Sequence, residues 1–317
     1  MSLRKLLGAS ALGVGGLLAA NYRLRDDDLQ PALSGRHETI GWRGLEVAVT
    51  EAGNPDNPTL VLFHGMNAAG SSGEFRAVVD DLADRFHVVA PDFPGFGCSA
   101  RPPLRYSATL SESFVGEFLQ RYDSPCVVAS SLSAAYTLGA LTGENGADAS
   151  GLLLICPTST AGPTPPKTWL RELIRLPVIG EGLFNLITSR PSIRYFNADH
   201  GYYDSDKAGE DWEAHEWQTA HQPNARFAPA SFISGFLNSD VDLAEAIRAA
   251  DLPTTLLWGR ETALTPLADG RDLAEESGAA LVVFDEAKLL PHVEFPDQFC
   301  EVVTDRLAPS VKAASEQ

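Results

Sequence analysis

Ser131 stands where an apolar run, Val127-Val128-Ala129, gives way to Ser130-Ser131-Leu132-Ser133 and then to a helical pattern. A hydroxyl at a sharp strand-to-helix turn lies above a helix N-terminus, where free amides favour negative charge. The chemistry open to it is nucleophilic attack. Two further loops end strand-like runs upstream. One is Leu62-Phe63-His64-Gly65-Met66-Asn67; the other is Ala90-Pro91-Asp92-Phe93-Pro94-Gly95-Phe96-Gly97-Cys98-Ser99. The turn at Ser131 reads as a nucleophile elbow, G-x-S-x-G in its usual form, with Ala129 and Ser133 in place of the glycines. The turn needs small side chains, and these are the next smallest. The Leu132 and Met66 amides would then form an oxyanion hole. Alone, a serine-rich stretch is more often a helix cap. Its place after a strand and downstream of His-Gly and D-x-P-G-x-G favours the elbow.

These loops need a scaffold, and periodicity supplies one. Residues 38–42 and 45–51 read as a hairpin turning at Arg43-Gly44. Strand 59–63, helix 72–85, strand 87–90, helix 109–121, strand 126–129, helix 132–142 and strand 151–156 follow. After a pause come strand 254–258, helix 267–277, strand 280–284 and helix 296–307. Such alternation predicts an α/β fold with a mostly parallel, doubly wound sheet covered on both faces. The pause, 157–253, is rich in aromatic residues and lacks a clear strand. It reads as a helical lid inserted between two core strands, over the sheet edge where open α/β sheets bind ligands. The expected organisation is an N-terminal segment 1–25, core 26–156, lid 157–253, core 254–308 and tail 309–317.

The 317 residues are 44% hydrophobic and 21% charged, enough to bury a large core and too apolar for disorder. Forty-two acids against 24 bases give a net charge of −18, which repels nucleic acid and acidic lipid and reads as a solubility feature. Cys98, Cys126, Cys156 and Cys300 lie far apart with no CxxC pair, so neither a metal site nor a disulfide framework is expected. No G-x-G-x-x-G follows the first strand and no phosphate-loop Gly-Lys-Ser is present, so no cofactor is implied.

Leu6 to Tyr22 is uncharged, flanked by Arg4 and Lys5 before and Arg23 and Arg25 after. A 17-residue helix spans about 25 Å, short of a ~30 Å hydrocarbon core, and four glycines weaken it further. Three readings stay open: a membrane anchor, a packing helix, or a cleaved signal with a poor site at Leu18-Ala19-Ala20. The chain is accordingly expected in the cytoplasm, or at a membrane through residues 6–22.

In this order the three loops resemble those of the α/β-hydrolase superfamily, lid included, over about residues 38–307. The resemblance implies cleavage of an ester, amide, epoxide, carbon–halogen or carbon–carbon bond. It also implies an acid after a later strand and a histidine near the C-terminus. The family pattern W-G-x-x-D-x-x-x-P becomes Trp258-Gly259-Arg260-Glu261-Thr262-Ala263-Leu264-Thr265-Pro266 here. Pro266 sets the register, so the acid position holds Thr262, with Glu261 one residue early. The pattern G-H-x-P-x-x-E-x-P becomes Lys288-Leu289-Leu290-Pro291-His292-Val293-Glu294-Phe295-Pro296. Pro291, Glu294 and Pro296 align without a gap and put Leu289 at the general-base position.

The aligned site is thus Ser131, Thr262 and Leu289. Leucine has no proton chemistry, and a neutral threonine cannot stabilise an imidazolium. Losing the base of such a triad removes about 10⁶ in turnover and leaves about 10³–10⁴ over water. A relocated base could come from His292, if its loop refolds, or from a lid-borne Asp199/His200 pair. His215 and His221 are also in the lid segment, but lid histidines are more often surface or packing residues. His64 would support backbone geometry, and His37 and His87 look structural. Three functions compete. One is a serine hydrolase of a small apolar, ester-like substrate with a degenerate triad. Another is a catalytically inactive binding protein on a retired hydrolase fold. The third is a non-hydrolytic enzyme, such as a lyase, that uses the oxyanion amides alone.

Overall fold

A computed structural model of the chain describes residues 3–143 and 146–314, with side chains over 14–143 and 146–308. An N-terminal helix, α1 (Leu3–Leu24), precedes β1 (Arg36–Trp42) and β2 (Leu45–Ala52). These pair antiparallel, Trp42 opposite Leu45, across a turn in which Arg43 and Gly44 take φ of 47° and 80°. Two positive φ angles match the right-handed twist of the flanking strands. Then come β3 (Thr59–Phe63), α2 (Val79–Ala83), β4 (His87–Pro91), α3 (Ala108–Leu119), β5 (Cys126–Ser130), α4 (Leu132–Thr142) and β6 (Gly151–Ile155).

The sheet order is β1-β2-β4-β3-β5-β6-β7-β8, completed by β7 (Thr254–Gly259) and β8 (Ala280–Phe284). From β4 onward all neighbours are parallel. Side chains alternate in period two through the central strands. Val61, Phe63, Val127, Leu152 and Leu154 enter one core with Phe114, Phe118 and Leu138. Leu60, Leu62, Val128 and Leu153 enter the other, with Phe299, Val303 and Leu307. Both faces are therefore covered, as a parallel sheet requires.

The segment between β6 and β7 holds no strand. It carries α5 (Thr168–Arg175), α6 (Ile179–Ile187), α7 (Arg190–Phe196), α8 (Glu210–Ala220), α9 (Phe227–Ile233) and α10 (Leu243–Ala250). After β7 come α11 (Leu267–Ser277), α12 (Pro291–Glu294) and α13 (Pro296–Ala314). α10 is capped by Asp242, whose carboxylate accepts from Glu245 N at 2.9 Å, and it packs on α4 and α11. Ala246 and Ile247 join the first sheet core. Within the expected insertion, 157–253, α10 thus turns its amphipathic stripe to the sheet layer.

Two other expectations need correction. The helix expected over 72–85 is a 3-10 turn, Ser72–Phe75, followed by the short α2. Asp92 Oδ1 takes the Ser72 amide at 2.6 Å, and a Cβ on Gly73 would lie 2.7 Å from Ala32 and 2.8 Å from Trp212. Tertiary contacts hold this segment in a tight turn that helix periodicity does not reveal. The last helix continues past residue 307 to Ala314, so most of the expected tail is helical; residues 315–317 lie outside the described residues.

The C-terminal half of α1 packs on α6. Asn21 is buried and donates Nδ2 to Val178 O at 2.8 Å, while Arg25 pairs with Glu181 at 2.8 Å. Among the described residues, no helix is long and apolar enough to cross a membrane. The side chains of Arg4 and Lys5, expected to flank an anchor, lie outside the described residues.

Candidate active site

β5 ends at Ser130, and Ser131 takes φ 56°, ψ −126° before α4 opens at Leu132. A non-glycine residue held there costs about 1–3 kcal/mol and persists only where its surroundings dictate it. The Ser131 amide donates to Ile155 O at 2.9 Å, and its carbonyl accepts from Ala134 N at 3.1 Å. Ala129 is fully buried, paired with Phe63 on β3 and Leu154 on β6, so a larger side chain has no room. Ser133 is buried too, and its hydroxyl donates to the His64 carbonyl. The serine that replaces the second glycine thereby ties this turn to the His-Gly loop.

His64 is occupied on both nitrogens. The Phe93 amide donates to Nε2 at 3.1 Å, so Nε2 is unprotonated and Nδ1–H donates to Gly65 O at 2.8 Å. Burial lowers its pKa and keeps it neutral, a backbone support as expected. Asp92 extends the same framework. Its carboxylate accepts from Ser72 N at 2.6 Å and Cys98 N at 2.7 Å.

Above the turn lies a cavity of about 520 Å³, of a size suited to a small molecule. Ser131, Met66, Leu289 and His200 all reach its wall; Leu132, Thr262 and His292 do not. Leu132 contributes its position as the first helical residue, where amides have no partner within the helix. Phe196, Trp212 and Phe232 are the aromatic residues of the insertion that face the cavity. Phe184 packs with Ile174 and Ala220 of the insertion and with Ala69, while Tyr202 joins the insertion to Val293 on α12.

Thr262 is buried on the loop after β7, its hydroxyl 3.5 Å from that of Thr265. Glu261 is committed elsewhere: its carboxylate accepts from Ala287 N at 3.0 Å, and its amide donates to Ala287 O at 3.0 Å. The one-residue offset turns it toward the β8 loop. His200 sits in the turn Asn197–Gly201 with Nε2 3.3 Å from Asp199 Oδ2, while its Nδ1 is buried without a partner. Among the described residues, which include all seven histidines, none hydrogen-bonds the Ser131 hydroxyl. His215 lies 3.4 Å from the Ser71 hydroxyl, His221 bonds Trp217 O, and His37 and His87 face Thr50 and Glu51.

Two carboxyl groups on the cavity wall carry no sequence signal, and pattern reading missed both. Glu74, on the 3-10 turn, is buried and accepts from Gly65 N at 2.7 Å through Oε2. Burial raises its pKa, opposed by hydrogen bonds from Ser130 and Gly65 and by Arg76. Glu216 on α8 accepts from Asn197 Nδ2 at 2.7 Å, and burial pushes its pKa up to about 7.

His292 lies behind Glu74, on the far side from the cavity. It is fully buried between Phe75 and Phe299, at 5.3 and 5.5 Å between ring centres, with Nε2 3.5 Å from Glu74 Oε1. Burial, aided by Arg76, pushes its pKa down from 6.5 to about 3. Between those values the unfolded chain binds a proton that the folded one refuses. Stability is therefore fully present above pH 6.5 and falls by up to about 1.4 kcal/mol per pH unit toward pH 3. His292→Phe is expected to flatten this slope. Urea midpoints at pH 7 and pH 4 should differ less in the variant than in the wild type. An equal difference in both would remove His292 as the acid-sensitive group.

A parallel sheet in this order, with a strained serine after β5 and a cavity under an inserted helical segment, defines an α/β-hydrolase. The sequence profile of the alpha/beta hydrolase family matches residues 60–302, and the chain belongs to that family. An uncharacterized hydrolase of Saccharomyces cerevisiae is 46% identical over 59 residues, a match spanning only 20% of that relative's length. A pimeloyl-[acyl-carrier protein] methyl ester esterase of Aeromonas salmonicida is 28% identical over 269 residues, covering 82% of this chain and 98% of the relative. Among solved structures, a serine hydrolase involved in carbazole degradation superposes with a TM-score of 0.69 at 18% identity, covering 87% of this chain and 99% of that one. The enol-lactonase from Burkholderia xenovorans does so with a TM-score of 0.66 at 17% identity, over 86% and 100% of the two chains. At these identities the superpositions speak to the fold alone.

Proposed function

We propose that this chain is a serine hydrolase of a small, apolar, ester-like substrate, with Ser131 as nucleophile and Leu289 and Thr262 standing where the base and acid usually stand. The observation that carries the reading is the backbone of Ser131, φ 56° on a buried strand-to-helix turn, opening onto the cavity. Backbone strain in non-glycine residues clusters at active sites and motivates a functional reading where it opens onto a cavity. In the proposed reaction the Ser131 oxygen attacks the ester carbonyl carbon. The Met66 and Leu132 amides take the negative charge that develops on the carbonyl oxygen. Met66, Phe196, Trp212, Phe232 and Leu289 supply apolar wall for the acyl or alcohol part. The esterase and lactonase named above belong to the same chemical class.

Labelling with a fluorophosphonate, wild type beside Ser131→Ala, tests this. Labelling confined to the wild type is the expected result. A well-folded wild type that takes no label would favour the binding-protein reading, which the joint replacement of base and acid by Leu289 and Thr262 supports. Ligand soaking would then replace substrate screening.

A further inference from the structure

Given Ser131 as nucleophile, an inference that rests on the reading above, the proton it sheds needs an acceptor. No imidazole bonds it. We propose that Glu74 is that acceptor, the general base of the site, reached through the hydroxyl of Ser130. The two groups meet under the turn. A Cβ placed on Gly65 would lie 3.1 Å from Glu74 Oε2, 3.2 Å from Ser130 Oγ and 3.6 Å from Ser131 Cβ, so all three converge on that glycine. Ser130 lies near enough to the Glu74 carboxylate to hold its pKa down against burial, and both residues line the cavity with Ser131. Gly65 also explains the convergence: any side chain there would push the carboxylate from the amide it accepts at 2.7 Å.

Acylation then runs as one balanced step. The Ser131 oxygen bonds to the ester carbonyl carbon as its proton passes to Ser130 Oγ, and the Ser130 proton passes to Glu74. The C–O bond to the alcohol breaks, and the alcohol leaves with the proton returned from Glu74 through Ser130. Water attacks the acyl-serine carbonyl carbon as its proton passes through Ser130 to Glu74; the C–O bond to Ser131 then breaks, the proton returns to the Ser131 oxygen, and the acid leaves. No co-reactant other than water is needed.

The ionised carboxylate is the active form, and burial holds its pKa above the ordinary value of 4.5. The labelling rate should therefore rise with pH through a limb above the usual carboxylate range. The groups facing Glu74 leave that window clear. His292 on α12 is neutral above about pH 3, while Cys156 after β6 and Tyr202 from the insertion are pushed up to about 12. Glu216, on the same cavity wall and shifted to about 7, competes among the described residues and needs its own variant.

The experiment is the fluorophosphonate labelling rate from pH 4 to 9 for wild type, Glu74→Gln, Glu74→Asp, Ser130→Ala, Glu216→Gln and His200→Gln, each with its urea midpoint. Glu74→Gln keeps an oxygen for the Gly65 amide but cannot take a proton. It should fold, label about 10²–10⁴-fold more slowly and lose the acidic limb. Ser130→Ala should fall similarly, and Glu74→Asp should keep the limb at a reduced rate. His200→Gln and Glu216→Gln, on the same cavity wall, should keep the acidic limb whatever they do to the rate. A folded Glu74→Gln with the wild-type rate and profile overturns the proposal and leaves Ser131 standing. Collapse in His200→Gln alone assigns the base to the lid histidine instead. A Glu74→Gln protein that does not fold hands the decision to Ser130→Ala, whose unchanged rate would equally overturn the relay. A folded wild type that takes no label on Ser131 overturns the parent reading and this one together.

Discussion

Leu289→His combined with Thr262→Asp is expected to raise ester turnover by about 10²–10⁴-fold, the usual contribution of a positioned acid–base pair. Leu289 already reaches the cavity wall that holds Ser131, so an imidazole there has access to the reacting atoms. Thr262 is buried beside Thr265, on the β7 loop next to the β8 loop that carries position 289. A carboxylate at that depth needs a cation, and the new imidazolium is the one available. Leu289→His alone should gain less, since nothing would orient the ring or stabilise its charged form. Thr262→Asp alone should destabilise the fold, because it buries an unpaired charge. The check is turnover of a short-chain nitrophenyl ester by the two single variants and the pair. A folded double variant no faster than wild type would sink the aligned register of the three positions, and with it the assignment of Ser131 to an active elbow.

The second large effect is structural. Gly97→Ala should lower the unfolding free energy by about 3–5 kcal/mol, a substantial share of a typical domain's total. Gly97 has φ 50°, and a Cβ there would lie 2.1 Å from Asp92 Cγ and 2.2 Å from Oδ2. The carboxylate must move, and the Ser72 and Cys98 amides it accepts lose their partner inside the protein. Each buried donor left without an acceptor costs about 1–3 kcal/mol. Ser72 begins the turn that carries Glu74, so the surviving folded fraction should also label more slowly. Gly44→Ala is the control: its φ of 80° is equally strained, but the space around it is open. Urea unfolding of both variants separates contact from strain. A Gly97→Ala midpoint no lower than that of Gly44→Ala would discard the carboxylate clash as the cause.

Much of the scaffold was legible because its determinants are local. Short apolar runs marked every strand of the sheet, continuous in the central strands because neighbours such as Leu60/Val61 and Leu153/Leu154 enter opposite cores. Helix 132–142 was read to its bounds, since its small and apolar residues continue the elbow without interruption. The turn at Ser131 was legible from its place after a strand and downstream of the His-Gly and D-x-P-G-x-G loops, with Ala129 and Ser133 small enough for a tight junction. Helix 72–85 was not, because helix periodicity there is overridden by Asp92, a residue of the next loop.

By itself, then, the amino-acid order determined the family, the order of strands and helices, and the three loops that meet at one sheet edge. Each depends on contacts or spacings short enough to be written in consecutive residues. Only the tertiary structure decided which acidic and basic groups share the cavity with Ser131. Glu74 is remote in the chain, on a turn with no motif, and reaches Ser130 because β3 and β5 are neighbours. His292 carries the residue type of a base yet is sealed behind that carboxyl between two phenylalanines. His200 enters the cavity from the insertion, and Glu261 is turned toward Ala287. Proximity and burial set those roles through desolvation and hydrogen bonding, and both arise only when distant segments pack.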